Sequence, residues 1–283
     1  MRPLDEQTIL ITGATDGLGR ALAARLAGAG AHVVLHGRSA ERAARLRDEL
    51  DGIAGGRRAD VALADLADLG QVDRLADDLR ERLDHLDVLV NNAGIGSGPP
   101  GSPRQESVDG VELRFAVNYL AGYHLTRRLV PLLVDRPARV VNVASAGQHP
   151  IDFADPMLEA AYDGATAYAQ SKLAQIMFTI DLADELRDHL VTVNALHPAT
   201  YMDTTMVRQA GVAPVSTVEE GCAATLRLVA DAGLDGVSGR YFNGTREARA
   251  LPQAVDPDAR QRLRRLSEDL IDRALGTSRG ATA

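Results

Sequence analysis

The stretch Thr8-Ile9-Leu10-Ile11-Thr12-Gly13-Ala14-Thr15-Asp16-Gly17-Leu18-Gly19 decides how the rest of the chain is read. An apolar run passes into three glycines, and a helical pattern over Gly19–Ala29 follows. A strand that turns tightly into a helix leaves free N–H groups and the positive end of a helix dipole at the turn. Glycine is needed where backbone must turn there and approach a pyrophosphate. The spacing is Gly-x3-Gly-x-Gly, not the more familiar Gly-x-Gly-x2-Gly. A bare turn explains glycines alone. Placed after the first strand of a β-α-β run, they favour nucleotide binding, with Gly13, Thr15, Asp16, Gly17, Leu18 and Gly19 as candidates.

Outward from this turn, two kinds of segment alternate. Short apolar runs read as strands over Thr8–Thr12, His32–His36, Arg57–Val61, Asp87–Asn91, Arg139–Ala144, Val191–Leu196 and Arg240–Phe242. Between them, apolar residues three and four apart predict helices over Ala40–Leu50, Leu69–Leu83, Val111–Leu133, Ala167–Arg187 and Thr217–Ala230. Such alternation predicts an α/β fold, a parallel sheet with helices on both faces. No Pro/Gly/Ser-rich linker divides residues 1–283, so one domain is expected, with a frayed tail at 276–283. Three long connections, 94–107, 146–166 and 199–216, are candidate functional loops. The Arg-rich stretch Asp258–Arg273 is balanced by acids and reads as a solvated amphipathic face.

The composition excludes several classes. A net charge of −8 provides no basic footprint for nucleic acid. No run of about 18 apolar residues suggests a membrane span, and Met1-Arg2-Pro3-Leu4-Asp5-Glu6 lacks the features of a secretory signal. A cytoplasmic protein is expected. The single Cys222 forms no internal disulfide and sits among small apolar residues. His149 and His197 have no ligand-like neighbours, so no metal is expected.

The second strand ends in Gly37-Arg38, where an Asp or Glu would take the ribose hydroxyls of NAD. A guanidinium there can take a 2′-phosphate with paired donors; a solvated loop residue is the plainer reading. NADP is thus the expected cofactor, and NAD the lesser. Tyr168 and Lys172, four apart, share a helix face. A phenol with its usual pKa near ~10 is a poor acid or base at neutral pH. A neighbouring ammonium lowers that value, making the pair a proton donor and acceptor for a carbonyl/alcohol couple. Ser145 follows a buried strand at the end where open parallel sheets bind ligands. Asn118, in an apolar helical stretch, is either a structural tie or a link in a proton path.

Together, Thr12-Gly13…Gly17-Leu18-Gly19, Asn91-Asn92-Ala93-Gly94, Asn118, Ser145 and Tyr168-x3-Lys172 resemble the ordered motifs of the short-chain dehydrogenase/reductase family, from about residue 7 to 243. The resemblance implies a Rossmann-type sheet of about seven strands and a nicotinamide cofactor. It implies Tyr168 as acid/base, Lys172 on the nicotinamide ribose, Ser145 orienting the carbonyl and Asn118 supporting a water relay. It also implies Asn92, Ala93 and Gly94 in the cofactor cleft, Asp65 and Leu66 at the adenine, and Pro198 and Thr200 beside the nicotinamide; Ala199 stands where the family often has Gly.

The 23-residue spacing from Ser145 to Tyr168, the insert with Asp152-Phe153 and Tyr162, and Ser238-Gly239-Arg240-Tyr241-Phe242 resemble the retinol-dehydrogenase-like branch and its bacterial relatives. Members of that branch often carry a membrane anchor; here no membrane partner is expected, and retinoid chemistry is not implied. An Ala/Arg/Asp-rich composition with few Lys is associated with GC-rich bacterial genomes, whose reductases often act on secondary metabolites. The leading expectation is a carbonyl reductase or alcohol dehydrogenase for a bulky, largely apolar small molecule. Ser145, Phe153, Tyr201 and Met206 are the candidate substrate contacts, since methionines adapt to irregular shapes. The alternatives are a non-catalytic nucleotide sensor, or a dehydratase or epimerase on the same scaffold. The helices Val111–Leu133 and Ala167–Arg187 either pack a partner in a homodimer or homotetramer, or complete the chain's own core.

Overall fold

The structure, a computed structural model, describes residues 1–53 and 59–277. Among the described residues, eight strands make one sheet: β1 (Thr8–Ile11), β2 (His32–Gly37), β3 (Asp60–Leu63), β4 (Val88–Asn91), β5 (Ala138–Val143), β6 (Val191–His197), β7 (Tyr241–Asn243) and β8 (Arg246–Ala248). Their order is β3-β2-β1-β4-β5-β6-β7-β8. Every pair is parallel except β7 with β8. The chain runs outward from β1 to β3, then crosses back to place β4 on the other side of β1. That reversal opens a crevice at the carboxyl ends of β1 and β4, where such sheets bind ligands.

The expected α/β architecture is present, with helices α1 (Gly17–Gly28), α2 (Ala40–Asp51), α3 (Leu69–Arg82), α4 (Ala121–Leu133), α5 (Gly164–Glu185), α6 (Thr205–Gln209), α7 (Val218–Ala230), α8 (Pro252–Val255) and α9 (Pro257–Leu275). Alternation along a strand sends side chains to both faces. Ile9 and Ile11 of β1 join one core with Leu22 and Leu26 of α1. Leu10, between them, joins the other core with Leu129 of α4, Leu173 of α5 and Leu263 of α9.

Three details differ from the sequence expectations. The third strand lies at Asp60–Leu63, not Arg57–Val61, because pairing with β2 carries it to that strand's tip, Gly37↔Leu63; Arg57 lies outside the described residues. An eighth, antiparallel strand folds back after a two-residue turn with Gly244 at φ +57°. The helix expected over Val111–Leu133 begins later. Glu112 Oε2 accepts the Phe115 N–H at 2.8 Å, and Phe115–Leu120 winds as a widened π-helix before α4. Such widenings recur at functional sites, and this one carries Asn118. Tyr119, wholly buried, bonds Ser267 of α9 at 2.7 Å, so the last helix is tied to the π-segment. Of the expected tail, Gly276 closes α9 at φ +67°, and 278–283 lie outside the described residues. Among the described residues, no helix is long and apolar enough to cross a membrane.

Candidate active site

The glycine turn is built by contact with its neighbour across the crevice. Gly13 has φ +64°, and a Cβ there would lie 2.9 Å from Ala93 Cα. A Cβ on Gly19 would collide with the Gly13 carbonyl oxygen. Thr12 Oγ1 accepts the N–H groups of Asn92 at 2.9 Å and Ala93 at 3.0 Å. Asn92 Nδ2 donates back to the carbonyls of Thr12 at 2.8 Å and Gly13 at 3.2 Å. The two loops expected to flank a cofactor therefore hold each other in place. Asp16 caps α1, accepting Gly17 N–H at 2.8 Å. Burial works to raise the Asp16 carboxyl, but hydrogen bonds from Thr205, Arg42 and Gly17 hold it below its ordinary value.

At the tip of β2, Arg38 is exposed. Gly37 beside it has a packing reason to be glycine: a Cβ would meet Thr15 Cγ2 at 2.7 Å. Arg42 was not among the sequence candidates. Ser39 caps α2 by accepting Arg42 N–H, which turns Arg42 toward the glycine turn. There it pairs with Asp16 at 3.2 Å and donates to the Thr15 carbonyl at 3.3 Å. At the end of β3, Asp65 Oδ1 accepts Ala67 N–H at 3.0 Å and Leu66 is buried.

The second half of the site joins β5 to α5. Asp163 caps α5 by accepting Thr166 N–H at 2.7 Å, so Tyr168 and Lys172 fall on consecutive turns. Tyr168 stands beside Ser145, near enough for the serine hydroxyl to act on the phenol, and Ser145 is buried just beyond β5. The Ser145 carbonyl is fixed by Tyr241 Oη at 3.0 Å. Lys172 is the only lysine in the chain; the other 30 of the 31 Lys+Arg residues are arginine. Its Nζ lies 5.7 Å from the Tyr168 ring centre and donates to the Val143 carbonyl and Gln175 Oε1, both at 2.9 Å. Burial pulls the Lys172 ammonium down to about 7. Burial also pushes the Tyr168 phenol up, against the lowering effect of Ser145 beside it. The lowering of the Tyr168 phenol expected from sequence is outweighed by its burial, and the Lys172 ammonium spends two of its hydrogens on Val143 and Gln175.

Asn118 occupies the π-segment with its side chain fully engaged. Its Oδ1 accepts Ile95 N–H at 2.7 Å, and its Nδ2 donates to the Ile95 carbonyl at 3.1 Å and Ser171 Oγ at 3.0 Å. Ser171 in turn donates to the Tyr168 carbonyl at 2.7 Å. The side chain thus ties the loop after β4 to α5. A Cβ on Gly94 would stand 3.2 Å from Asn118 Oδ1 and 3.5 Å from Lys172 Nζ, so the backbone passes close to both.

The 199–216 segment lies across this crevice. Thr204 touches the Cβ position of Gly17, and Met206 that of Gly96. Tyr201 is half-exposed at φ +43°. Thr200 Oγ1 lies 3.0 Å from His197 Nε2, and Pro198 packs against Gly221. The 146–166 insert is stitched to the segment before α9: Gln253 bonds both backbone groups of Ile151, at 2.7 and 3.0 Å. Ile151 and Met157 are core residues, and Phe153 packs on the core under the Arg262 guanidinium, 4.4 Å from its ring centre. The Arg-rich helix is amphipathic as expected, burying Leu263, Leu270 and Ile271 with Arg262 and Arg265 exposed, and Arg264 pairs with Asp181 through two bonds.

A crevice at the sheet reversal, lined by a glycine turn and a Ser-Tyr-Lys group, defines a dinucleotide-dependent oxidoreductase. The family model described as short chain dehydrogenase matches residues 7–213. Human retinol dehydrogenase 14 is 35% identical over 94% of this chain and 86% of its own length. A crystal structure of an uncharacterized protein from Mycobacterium paratuberculosis superposes with TM-score 0.76 and 28% identity, covering 94% of both chains. A short chain dehydrogenase from Shigella flexneri 2a, crystallised with NADP, superposes with TM-score 0.71 and 27% identity, covering 86% of this chain and 98% of its own. The chain belongs to the short-chain dehydrogenase/reductase family and is a nicotinamide-dependent oxidoreductase acting on the CH–OH/C=O couple.

Proposed function

We propose that this enzyme uses NADP(H) in preference to NAD(H), and that its substrate is a bulky, largely apolar alcohol or the matching ketone or aldehyde. The observation that carries the reading is the pairing of Tyr168 with Ser145, with the buried Lys172 one turn away and Tyr201 close by, while Met206 lies against Gly96 on the loop after β4. The site fits the cofactor: Gly13 and Gly19 leave a cradle that side chains would fill, and Gly94 brings backbone up to Lys172. The glycine turn would hold the pyrophosphate, Arg38 the 2′-phosphate with Arg42 nearby, and Lys172 a ribose. Asp65 and Leu66 would flank the adenine, and Pro198 and Thr200 the nicotinamide. The bound nicotinamide supplies or accepts a hydride.

The chain's own residues handle the proton. Ser145 and Tyr168 offer two hydroxyls to one substrate oxygen; Ser145 orients it, and Tyr168 Oη gives its proton on reduction and takes one on oxidation. Lys172, its Nζ 5.7 Å from the Tyr168 ring centre, stabilises the phenolate by charge attraction in its protonated form. A relative named for retinol, itself a bulky apolar alcohol, and a neighbour crystallised with NADP support the reading.

The test is a panel of bulky and small ketones, aldehydes and alcohols with NADPH and NADH, read at the nicotinamide absorbance. Turnover of bulky compounds with NADPH is expected. Tyr168→Phe should bind cofactor normally and lose about 100- to 10,000-fold in turnover. Cofactor binding without turnover across the panel would favour the sensor reading.

A further inference from the structure

His36 sits one residue before the tip of β2, 2% exposed, where the strand otherwise buries Val33, Val34 and Leu35. A buried imidazole needs partners for both nitrogens. Nδ1 lies 3.2 Å from the Gly13 N–H, and Nε2 lies 3.2 Å from the Ala64 carbonyl. The Gly13 N–H is a donor, so Nδ1 must be bare; the Ala64 carbonyl is an acceptor, so Nε2 must carry the hydrogen. Only the neutral Nε2–H tautomer satisfies both. Burial pushes the imidazole down to about 4, which keeps it neutral at ordinary pH.

The two groups it holds are far apart in sequence and face one crevice. Gly13 opens the glycine turn in a left-handed conformation, and the imidazole fixes which way its peptide N–H points. Ala64 directly precedes Asp65 and Leu66. At the tip of β2, backbone bonds run to each side, Ala14 N–H to the His36 carbonyl at 2.9 Å and Ala64 N–H to the Gly37 carbonyl at 3.3 Å, while His32 at the strand's start meets Asp60 of β3 at 3.1 Å. The His36 imidazole adds a second tie on each side within one rigid ring.

We propose that His36 is a positioning residue for the adenosine half of the cofactor, setting the distance and orientation between the phosphate-binding glycine turn and the Asp65–Leu66 lip. The inference rests on the cofactor reading above. It separates His36 from a mere filler of the strand end, for which an aromatic ring of similar size would serve as well.

Selective ¹⁵N labelling of histidine in the cofactor-free protein reads the tautomer directly. The expected spectrum at neutral pH shows Nε2–H and a bare Nδ1 for His36; an Nδ1–H or an imidazolium overturns the proposal. His36→Phe keeps a ring and removes both bonds, whereas His36→Asn keeps an acceptor near the Nδ1 position. Affinities for NADPH and for its fragment 2′,5′-ADP are measured by calorimetry, with kcat at saturating cofactor and the melting temperature alongside. His36→Phe should weaken both ligands by roughly tenfold, the loss expected for buried groups left unpaired, while kcat stays within about twofold. His36→Asn should recover part of the affinity. Unchanged affinities with a lowered melting temperature, or a fall in kcat with affinities intact, would overturn the proposal. Wild-type protein binding neither NADPH nor NADH would instead overturn the cofactor reading. Should His36→Phe not fold, the tautomer and His36→Asn decide.

Discussion

Replacing Gly37 by alanine tests why this chain lacks an acidic residue at the tip of β2. The strand backbone at Gly37 is ordinary, so a methyl group brings no backbone strain; on conformational entropy alone it would stabilise by about 0.5–1 kcal/mol. The obstacle is Thr15. The new Cβ would stand 2.7 Å from Thr15 Cγ2, but 3.4 Å from Oγ1 and 3.7 Å from Cβ. Carbon pairs prefer roughly 3.5–4.0 Å, so only the threonine methyl is in the way. Forcing such a contact costs about 1–3 kcal/mol. Thr15→Ser removes that methyl and should be nearly neutral alone. The expected outcome is that Gly37→Ala destabilises, that Thr15→Ser/Gly37→Ala regains wild-type stability or better, and that the two substitutions couple by about 1–3 kcal/mol. Urea unfolding of the four cofactor-free proteins at constant m measures this. Additive effects, or a Gly37→Ala protein as stable as wild type, would refute the packing argument. The same logic predicts that Gly37→Asp is tolerated only with Thr15→Ser, and that this double variant shifts preference toward NADH.

Arg38→Ala should weaken NADPH by about 1.5–3 kcal/mol and leave NADH nearly unchanged; equal loss by calorimetry would place the 2′-phosphate elsewhere. Because Lys172 is the sole lysine, ¹³C-lysine labelling yields one side-chain resonance, which should titrate near 7 in the cofactor-free protein; a midpoint near ~10 would mean a solvated ammonium. His36, pushed from 6.5 to about 4, refuses between those values a proton that the unfolded chain accepts. Its contribution is therefore whole above about pH 6.5 and is lost as pH falls toward 4, by about 3 kcal/mol, so His36→Asn should show a shallower acid loss in urea midpoints. Tyr201→Ala and Met206→Ala should lower kcat/KM for bulky ketones and spare small ones, with NADPH affinity intact; equal losses with a lower melting temperature would assign them to packing.

What the sequence disclosed follows from what backbone geometry demands. Gly13 and Gly19 are legible because no other residue fits where Ala93 and the Gly13 carbonyl crowd in. Tyr168 and Lys172 are legible because one helical turn separates them. Arg42 was not, since its meeting with Asp16 depends on how Ser39 aims α2 at a turn more than twenty residues away. Nor was the widening at Phe115–Leu120, which shows in no apolar spacing. The eighth strand did leave a trace, the glycine that opens the two-residue loop Gly244-Thr245, but Arg246-Glu247-Ala248 lacks the apolar alternation that marks a strand. The 146–166 insert read as a functional loop with a substrate contact at Phe153, yet Ile151 is held by Gln253 a hundred residues later, and Met157 belongs to the core.

A chain with one lysine presents almost no primary amines to the outside. Its surface cations are guanidiniums, which stay charged at any ordinary pH and ignore reagents that acylate or condense with amines. The two primary amines are the N-terminus, paired with Asp235 at 3.3 Å, and Lys172, sealed between β5 and α5. Amine-directed cross-linkers, dyes and resins that decorate most proteins at random would find this one nearly blank, and whatever label did enter at a side chain would sit at Lys172 alone.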